Sequence, residues 1–334
     1  MSARTRNIFF FIGIAAVVVM LLGFEVSFVE LWQQLCETGY WLLPIIGMWL
    51  PLYMMNTLAW RVIIRGSGPC PVPYWQLVKI TISAFALNYA TPVGLLGGEP
   101  YKILEVKASL GTERASSSVL LFAMMHVFSH FWYWLTAVVL YALFLPVNVG
   151  EGILLVLVAL FCVAVIYLFV KGYRNGMVIK LLHLLGHLPG CRAWANRFEQ
   201  KNGQRLANID QQIAALHAQN RLSFYASFFL EYIGRVLQSF EIFFMLLLFG
   251  AAEASVMTFV HAFIILAFTS LFANMLFFIP LQLGGREGGF AMSVANMGFN
   301  GQVGMSVSLL CRVRELFWVA IGMLLIKVGN NNDR

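Results

Sequence analysis

The sequence predicts an all-α polytopic membrane protein, with about six full spans and two re-entrant or broken helical segments that form an inverted-topology repeat. Three observations predict it. The 334-residue chain is 60% hydrophobic and only 11% charged, whereas soluble domains carry roughly 25% charged residues. Several apolar runs approach the ~20 residues needed to cross a bilayer. Two glycine-rich motifs then interrupt the apolar pattern at corresponding places. The first is Thr91-Pro92-Val93-Gly94-Leu95-Leu96-Gly97-Gly98-Glu99-Pro100. The second is Ile279-Pro280-Leu281-Gln282-Leu283-Gly284-Gly285-Arg286-Glu287-Gly288. Paired interruptions of this kind point to a site between two related halves.

Each element follows from its residues. The run from Ile8 to Phe24 comes after Arg4 and Arg6, and no small-x-small cleavage site follows it. It reads as a retained helix rather than a removed leader. Further spans are predicted over 40–60, 117–145, 152–170, 223–249 and 304–326. Segments 74–92 and 256–281 each contain an Asn (Asn88, Asn274) and run up to a motif. The first also carries Gln76, Lys79, Thr81 and Ser83, which is polar for a lipid-facing helix. A second glycine lies 13 residues after each Gly-Gly pair, Gly111 after Gly98 and Gly298 after Gly285, and a Phe-Trp pair follows in both halves (Phe131-Trp132, Phe317-Trp318). The chain therefore divides as one integral membrane domain, 1–334. It has N-terminal spans in 8–70, a first repeat half over 71–145, a basic loop over 171–222 and a second half over 255–327.

Charge sets the orientation. Of the 22 Lys and Arg, all but Arg235, Arg286, Arg312 and Arg314 fall in 1–7, 61–79, 93–116, 171–222 and 327–334. These segments share one side only if 74–92 turns back, and the positive-inside rule makes that side cytoplasmic. Both termini are then expected on the cytoplasmic face of the inner, cytoplasmic membrane. Treating 256–281 as re-entrant from the other face inverts the second half. In 171–222, Leu206, Ile209, Ile213 and Leu216 form one helical stripe beside many basic residues. This reads as an amphipathic segment on an anionic leaflet rather than a nucleic-acid surface.

The polar residues suggest what the motifs hold. A helix can start after each Gly-Gly, with Pro100 suited to its first position. Helix starts attract anions, and glycine lets backbone approach a ligand. Arg286 adds a planar fork suited to phosphate. A tight turn with Arg286 paired to Glu287 or a nearby acid is the plainer alternative. Glu231 and Arg235 stand at i,i+4 on one span, either as an ion pair or as a polar path for a headgroup, with Glu241 beyond them as a possible proton carrier. Arg312, Arg314 and Glu315 sit in the last span, and charges there face protein interior. His126 and His130 are one turn apart, but no third ligand and no HExxH accompany them. Packing or hydrogen bonding is the expected role, and no metal site is expected. Five scattered cysteines give no CxxC. No Walker loop, dinucleotide fingerprint or nucleophile elbow occurs, so no cofactor and no enzymatic activity are expected.

The motifs Pro-x-Gly-x-x-Gly-Gly-Glu-Pro at 92–100 and Pro-x-x-Leu-Gly-Gly-Arg-Glu at 280–287 resemble those of the transmembrane region of lysylphosphatidylglycerol synthases, also called the flippase-like family. The resemblance spans roughly 70–327. It implies lipid movement between leaflets without the aminoacyl transfer performed by a separate cytosolic domain in the best-known branch. Carried over by position, it points to Gly97, Gly98, Glu99, Gly284, Arg286, Glu287 and Arg312. Adding Lys102, Gly285, Glu231 and Arg235 from the residue reading completes the expected substrate-binding set. The expected partner is an anionic or phosphate-bearing membrane lipid, with a separate lipid-modifying synthetase as a further possibility. A membrane enzyme acting on a lipid headgroup is the alternative function.

Overall fold

A computed structural model of the chain describes residues 38–90, 97–173, 221–275 and 285–327, with Phe11, Cys36 and a few positions in 197–211. The expected span 8–24 and most of the loop 171–222 lie outside the described residues. So do the motif residues 91–96 and 276–284, Gly284 among them. Every regular element among the described residues is helical. After a short 3-10 turn at Gly39–Trp41 come α1 (Leu42–Gly47), α2 (Trp49–Gly66), α3 (Tyr74–Ala90), α4 (Gly98–Leu110), α5 (Thr112–Phe144) and α6 (Val149–Tyr173). The second half comprises α7 (Arg221–Leu248), α8 (Val256–Met275), α9 (Gly285–Asn296) and α10 (Gly301–Lys327).

Among the described residues, four helical stretches are long and apolar enough to cross a membrane: Gly39–Gly66, Thr112–Phe144, Val149–Lys171 and Val256–Met275. The expected segment 256–281 thus contains a helix that can itself span. At 20 residues α8 is about 30 Å long, against about 25 Å for the 17 residues of α3. The expected spans 223–249 and 304–326 are also long helices, α7 and α10, but both bury ionic groups.

The motifs open two helical hairpins. In the first, Asn88 Oδ1 accepts the Gly98 N–H at 2.7 Å, which ties the start of α4 to the end of α3. Gly98 lies so close to the Ala84 carbonyl that a Cβ there would collide with it. The chain leaves this hairpin on the side where it entered. Arg114, in the first turn of α5, donates to Ser67 Oγ at 3.0 Å and to the carbonyls of Ile64 and Pro69 at 2.8 Å each. The second hairpin behaves likewise, since Phe299 after α9 lies edge-on to His261 near the start of α8, with centroids 5.5 Å apart. Gly111 and Gly298 close α4 and α9 at φ +79° and +82°, a conformation that favours glycine.

The two hairpins open in opposite directions. Ser83 Oγ donates to the Gly322 carbonyl (3.2 Å) while Tyr89 Oη accepts from Arg312 (2.7 Å), so α3 and α10 run antiparallel. By contrast α5 and α7 run parallel, through His126–Glu231, Ser129–Arg235 and Tyr133–Ser239. Each long helix packs on the first arm of the other hairpin, α10 on α3 and α5 on α8. Residues at matching places in the two halves mark both contacts, Ser83 with Gly322 and Ser270 with Trp134 (2.9 Å). Two large apolar clusters result, one around Trp60, Leu77 and Phe122 and the other around Phe263, Met245 and Phe290.

The α3–α10 seam gives a stability test. A Cβ at Gly322 would stand 2.6 Å from both the Ala86 Cβ and the Ile82 carbonyl oxygen, and overpacking of a filled seam typically costs about 1–3 kcal/mol. Gly322→Val is expected to lower the melting temperature of the detergent-purified protein. Gly301→Ala, where nothing lies within 4 Å, is the control. Equal melting of the two variants would show that the seam is looser than this geometry.

Candidate functional site

Among the described residues the buried charged side chains collect in two centres. The larger forms where the start of α9 meets the end of α3. Arg286 and Glu287 lie in the first turn of α9, and Arg312, Arg314 and Glu315 line one stretch of α10. Arg286 pairs with Glu315 rather than with its neighbour Glu287. Neighbouring residues on a helix point apart, and Glu287 meets a different residue of α10, its Oε1 accepting from Arg312 Nε (3.1 Å) and Nη2 (3.0 Å). Arg314 takes both oxygens of Glu241 on α7, Nε to Oε1 at 2.7 Å and Nη2 to Oε2 at 3.1 Å. The guanidinium also lies over the Trp49 ring, 3.9 Å from its centroid, while the Trp49 indole donates to Glu241 at 3.1 Å. Three arginines therefore face three glutamates, and Tyr89 links the centre to α3 through Arg312.

Burial explains why the charges are matched one to one. Side-chain exposure is 3% and 2% for Arg312 and Arg314, and 1% and 4% for Glu241 and Glu315. An unpaired charge in such surroundings costs several kcal/mol. The outer members are more open, Arg286 at 17% and Glu287 at 23%. Glu287 also stands at the helix start, where its charge opposes the positive end of the helix dipole.

The smaller centre lies where α4 and α5 of the first half approach α7. Lys102 bonds Glu99 one turn earlier on α4 (3.0 Å), and its ammonium lies 4.6 Å from the Phe122 ring centroid. Further along α5, His126 Nδ1 meets Glu231 Oε2 at 2.7 Å. Arg235 donates to Ser129 Oγ (2.7 Å) and to the His126 carbonyl (3.0 Å). Glu231 and Arg235 are therefore not the i,i+4 pair that their spacing suggests. Both are drawn across to α5, because the seam offers each a better-placed partner.

The expected substrate-binding set is thus split in space. Arg286, Glu287 and Arg312 come together, with Gly285 buried at the start of α9. Glu99 and Lys102 form the first-half counterpart, beside Gly97, and Glu231 and Arg235 lie on the α5–α7 seam. Gly98 does not offer its N–H to a ligand, since Asn88 takes it, whereas Asn274 donates back to its own helix at Ser270. Pro100 is the third residue of α4 rather than the first, still among positions whose N–H has no helical partner. Sequence reasoning missed Tyr89, Trp49 and the Glu241–Arg314 pair. An aromatic residue in an apolar helix gives no signal, and the two charges of the pair are distant in the chain.

Oppositely directed hairpins with a buried ionic centre at one tip define a multi-pass, all-helical membrane protein built as an inverted repeat. Within that class, the family model described as lysylphosphatidylglycerol synthase TM region matches residues 9–322, and the chain belongs to this family. Comparison with curated proteins and with solved structures gives no match.

The α7–α10 clamp can be tested by a double-mutant cycle. Breaking a buried pair by removing one partner costs about 3–5 kcal/mol, whereas removing both together is much milder. Arg314→Leu alone is expected to destabilise the purified protein strongly, and Glu241→Leu with Arg314→Leu to restore most of the loss. Equal melting of single and double variants would mean that the pair does not hold the helices together.

Proposed function

We propose that this chain moves an anionic or phosphate-bearing lipid between the leaflets of the cytoplasmic membrane, as a flippase or scramblase, without altering it chemically. The headgroup engages the start of α9 while the acyl chains stay in the bilayer. The two halves act as inverted gates, with both termini cytoplasmic.

The position of Arg286 carries this reading. It is the most open of the three clustered arginines and stands in the first turn of a helix. Its partner Glu315 has two other cations at hand, Arg312 at 3.6 Å and Arg314 at 3.4 Å. Arg286 can therefore exchange a carboxylate for a phosphate without leaving Glu315 unmatched. A phosphate would gain charge-assisted hydrogen bonds from the guanidinium and the field of the helix start. Family membership supports a lipid setting. The charged groups that an enzyme would use as acid or base are largely engaged in ion pairs, which favours transport over headgroup chemistry.

Reconstituted protein supplied with a fluorescent anionic phospholipid tests it. A hydrogen bond to a charged group is worth about 1.5–3 kcal/mol, so Arg286→Ala is expected to slow lipid movement roughly ten- to hundredfold, with Arg286→Lys between. Unchanged movement in Arg286→Ala would reject the phosphate site. Loss of folded protein from the membrane would make Arg286 structural instead.

A further inference from the structure

The α5–α7 seam holds an acid that the phosphate site does not use. Glu231 is sealed, with 1% of its side chain exposed, yet only one of its oxygens is engaged. Oε2 meets His126 Nδ1 at 2.7 Å, while Oε1 is buried and makes no hydrogen bond within the protein. Glu241 is the opposite case, with both oxygens taken by Arg314 and a further donor from Trp49. Both Glu241 oxygens are thus committed to the clamp between α7 and α10.

The surroundings of Glu231 suit a proton carrier. His126 is 34% exposed, so one ring reaches from the sealed acid to the outside of the helix pair. One turn along α5, His130 lies edge-on to His126 at 5.4 Å between centroids, and its Nδ1 is also buried without a hydrogen bond. Beyond it the seam continues in hydroxyls, with Tyr133 and Ser239 at 2.7 Å and Thr136 and Tyr232 at 2.9 Å. The other ionisable groups near the pair are Lys102 from α4 and Arg235 from α7 itself. Helix α2 brings Asn56 to Gly234, its Arg61 lies over Tyr74, its Arg65 is exposed and its Tyr53 packs on Trp318. The His261 of α8 lies against Phe299, and the charges of α10 are held in the arginine cluster. Arg235 is committed to Ser129 and the His126 carbonyl, so it does not clamp the carboxylate.

We propose that His126 and Glu231 form a proton-binding pair that couples proton movement to lipid transport. The pair takes one proton from hydronium, forming an N–H or O–H bond on imidazole or carboxylate and leaving water, and release to water reverses the step. The unbonded Glu231 Oε1 and His130 Nδ1 are the free positions to which the proton passes. Binding of the proton adds one positive charge to the seam, and its release removes it. Only the coupling step rests on the transport reading, whereas proton binding is a property of the pair itself.

Two measurements separate these. Infrared difference spectra of the purified full chain, taken across about pH 5 to 8 where histidine normally titrates, should show an imidazole or carboxyl band change as the pair takes up its proton. Glu231→Gln and His126→Gln should each remove it or shift it in pH, and Glu241→Gln should leave it. A band unchanged in both Glu231→Gln and His126→Gln overturns the pair, and if the first variant does not fold the second decides alone. In proteoliposomes carrying fluorescent anionic phospholipid, an imposed pH gradient should change the wild-type rate several-fold and have no effect on the rate of Glu231→Gln. A wild-type rate indifferent to the gradient overturns the coupling. Absence of any lipid movement in wild type would instead sink the transport reading while the spectra still report the proton site.

Discussion

A guanidinium enclosed by apolar helices has to be neutralised and hydrogen-bonded on the spot, and this requirement organises the second half of the chain. Arg312 and Arg314 are almost completely buried on one face of α10. Neutralising them takes a glutamate from α7, one from α9 and one from α10 itself. The ionic cluster thereby fixes how three helices meet, and Tyr89 and Trp49 extend its reach to α3 and α2. Apolar packing alone would tolerate sliding along these seams. Paired charges of fixed geometry tolerate much less, because any shift leaves a buried charge unmatched.

The two halves share a backbone plan but not a chemistry. The glycine spacing, the hairpins and the crossed seams recur, whereas the charged groups do not. The first half has one lysine–glutamate pair on α4 and a histidine facing α7. The second has the dense arginine–glutamate cluster. In the reading proposed above, this asymmetry divides the labour, with anion recognition in one half and proton binding on the seam of the other.

Much of the plan was legible in the sequence because it depends on residues with strong local preferences. The spacing of Gly111 and Gly298 behind the Gly-Gly pairs marks two helix ends that do adopt positive φ. The clustering of Lys and Arg suggested that 74–92 turns back, and in the structure Arg114 after α4 bonds Ser67 before α3. The resemblance carried by the motifs is confirmed over residues 9–322. Partner choice was not legible. Glu287 beside Arg286, and Glu231 one turn before Arg235, look like pairs by spacing, but helix geometry and the neighbouring helix assign each of them elsewhere. Nor does composition distinguish α8, which can cross a bilayer by itself, from a segment that only dips into one.

The connecting helix α6 has a consequence of another kind. It is apolar nearly throughout, and most of its surface faces outward. It sits between α5 and α7, which run parallel, so the chain must be carried back across once before the second half begins. A return between them is what leaves the second half upside down relative to the first. The direction of the second half thus depends on a helix that contributes to neither polar centre. Its outward side chains need only be soluble in lipid, whereas its inner face, with Phe169 stacked on Phe128, is held to the core.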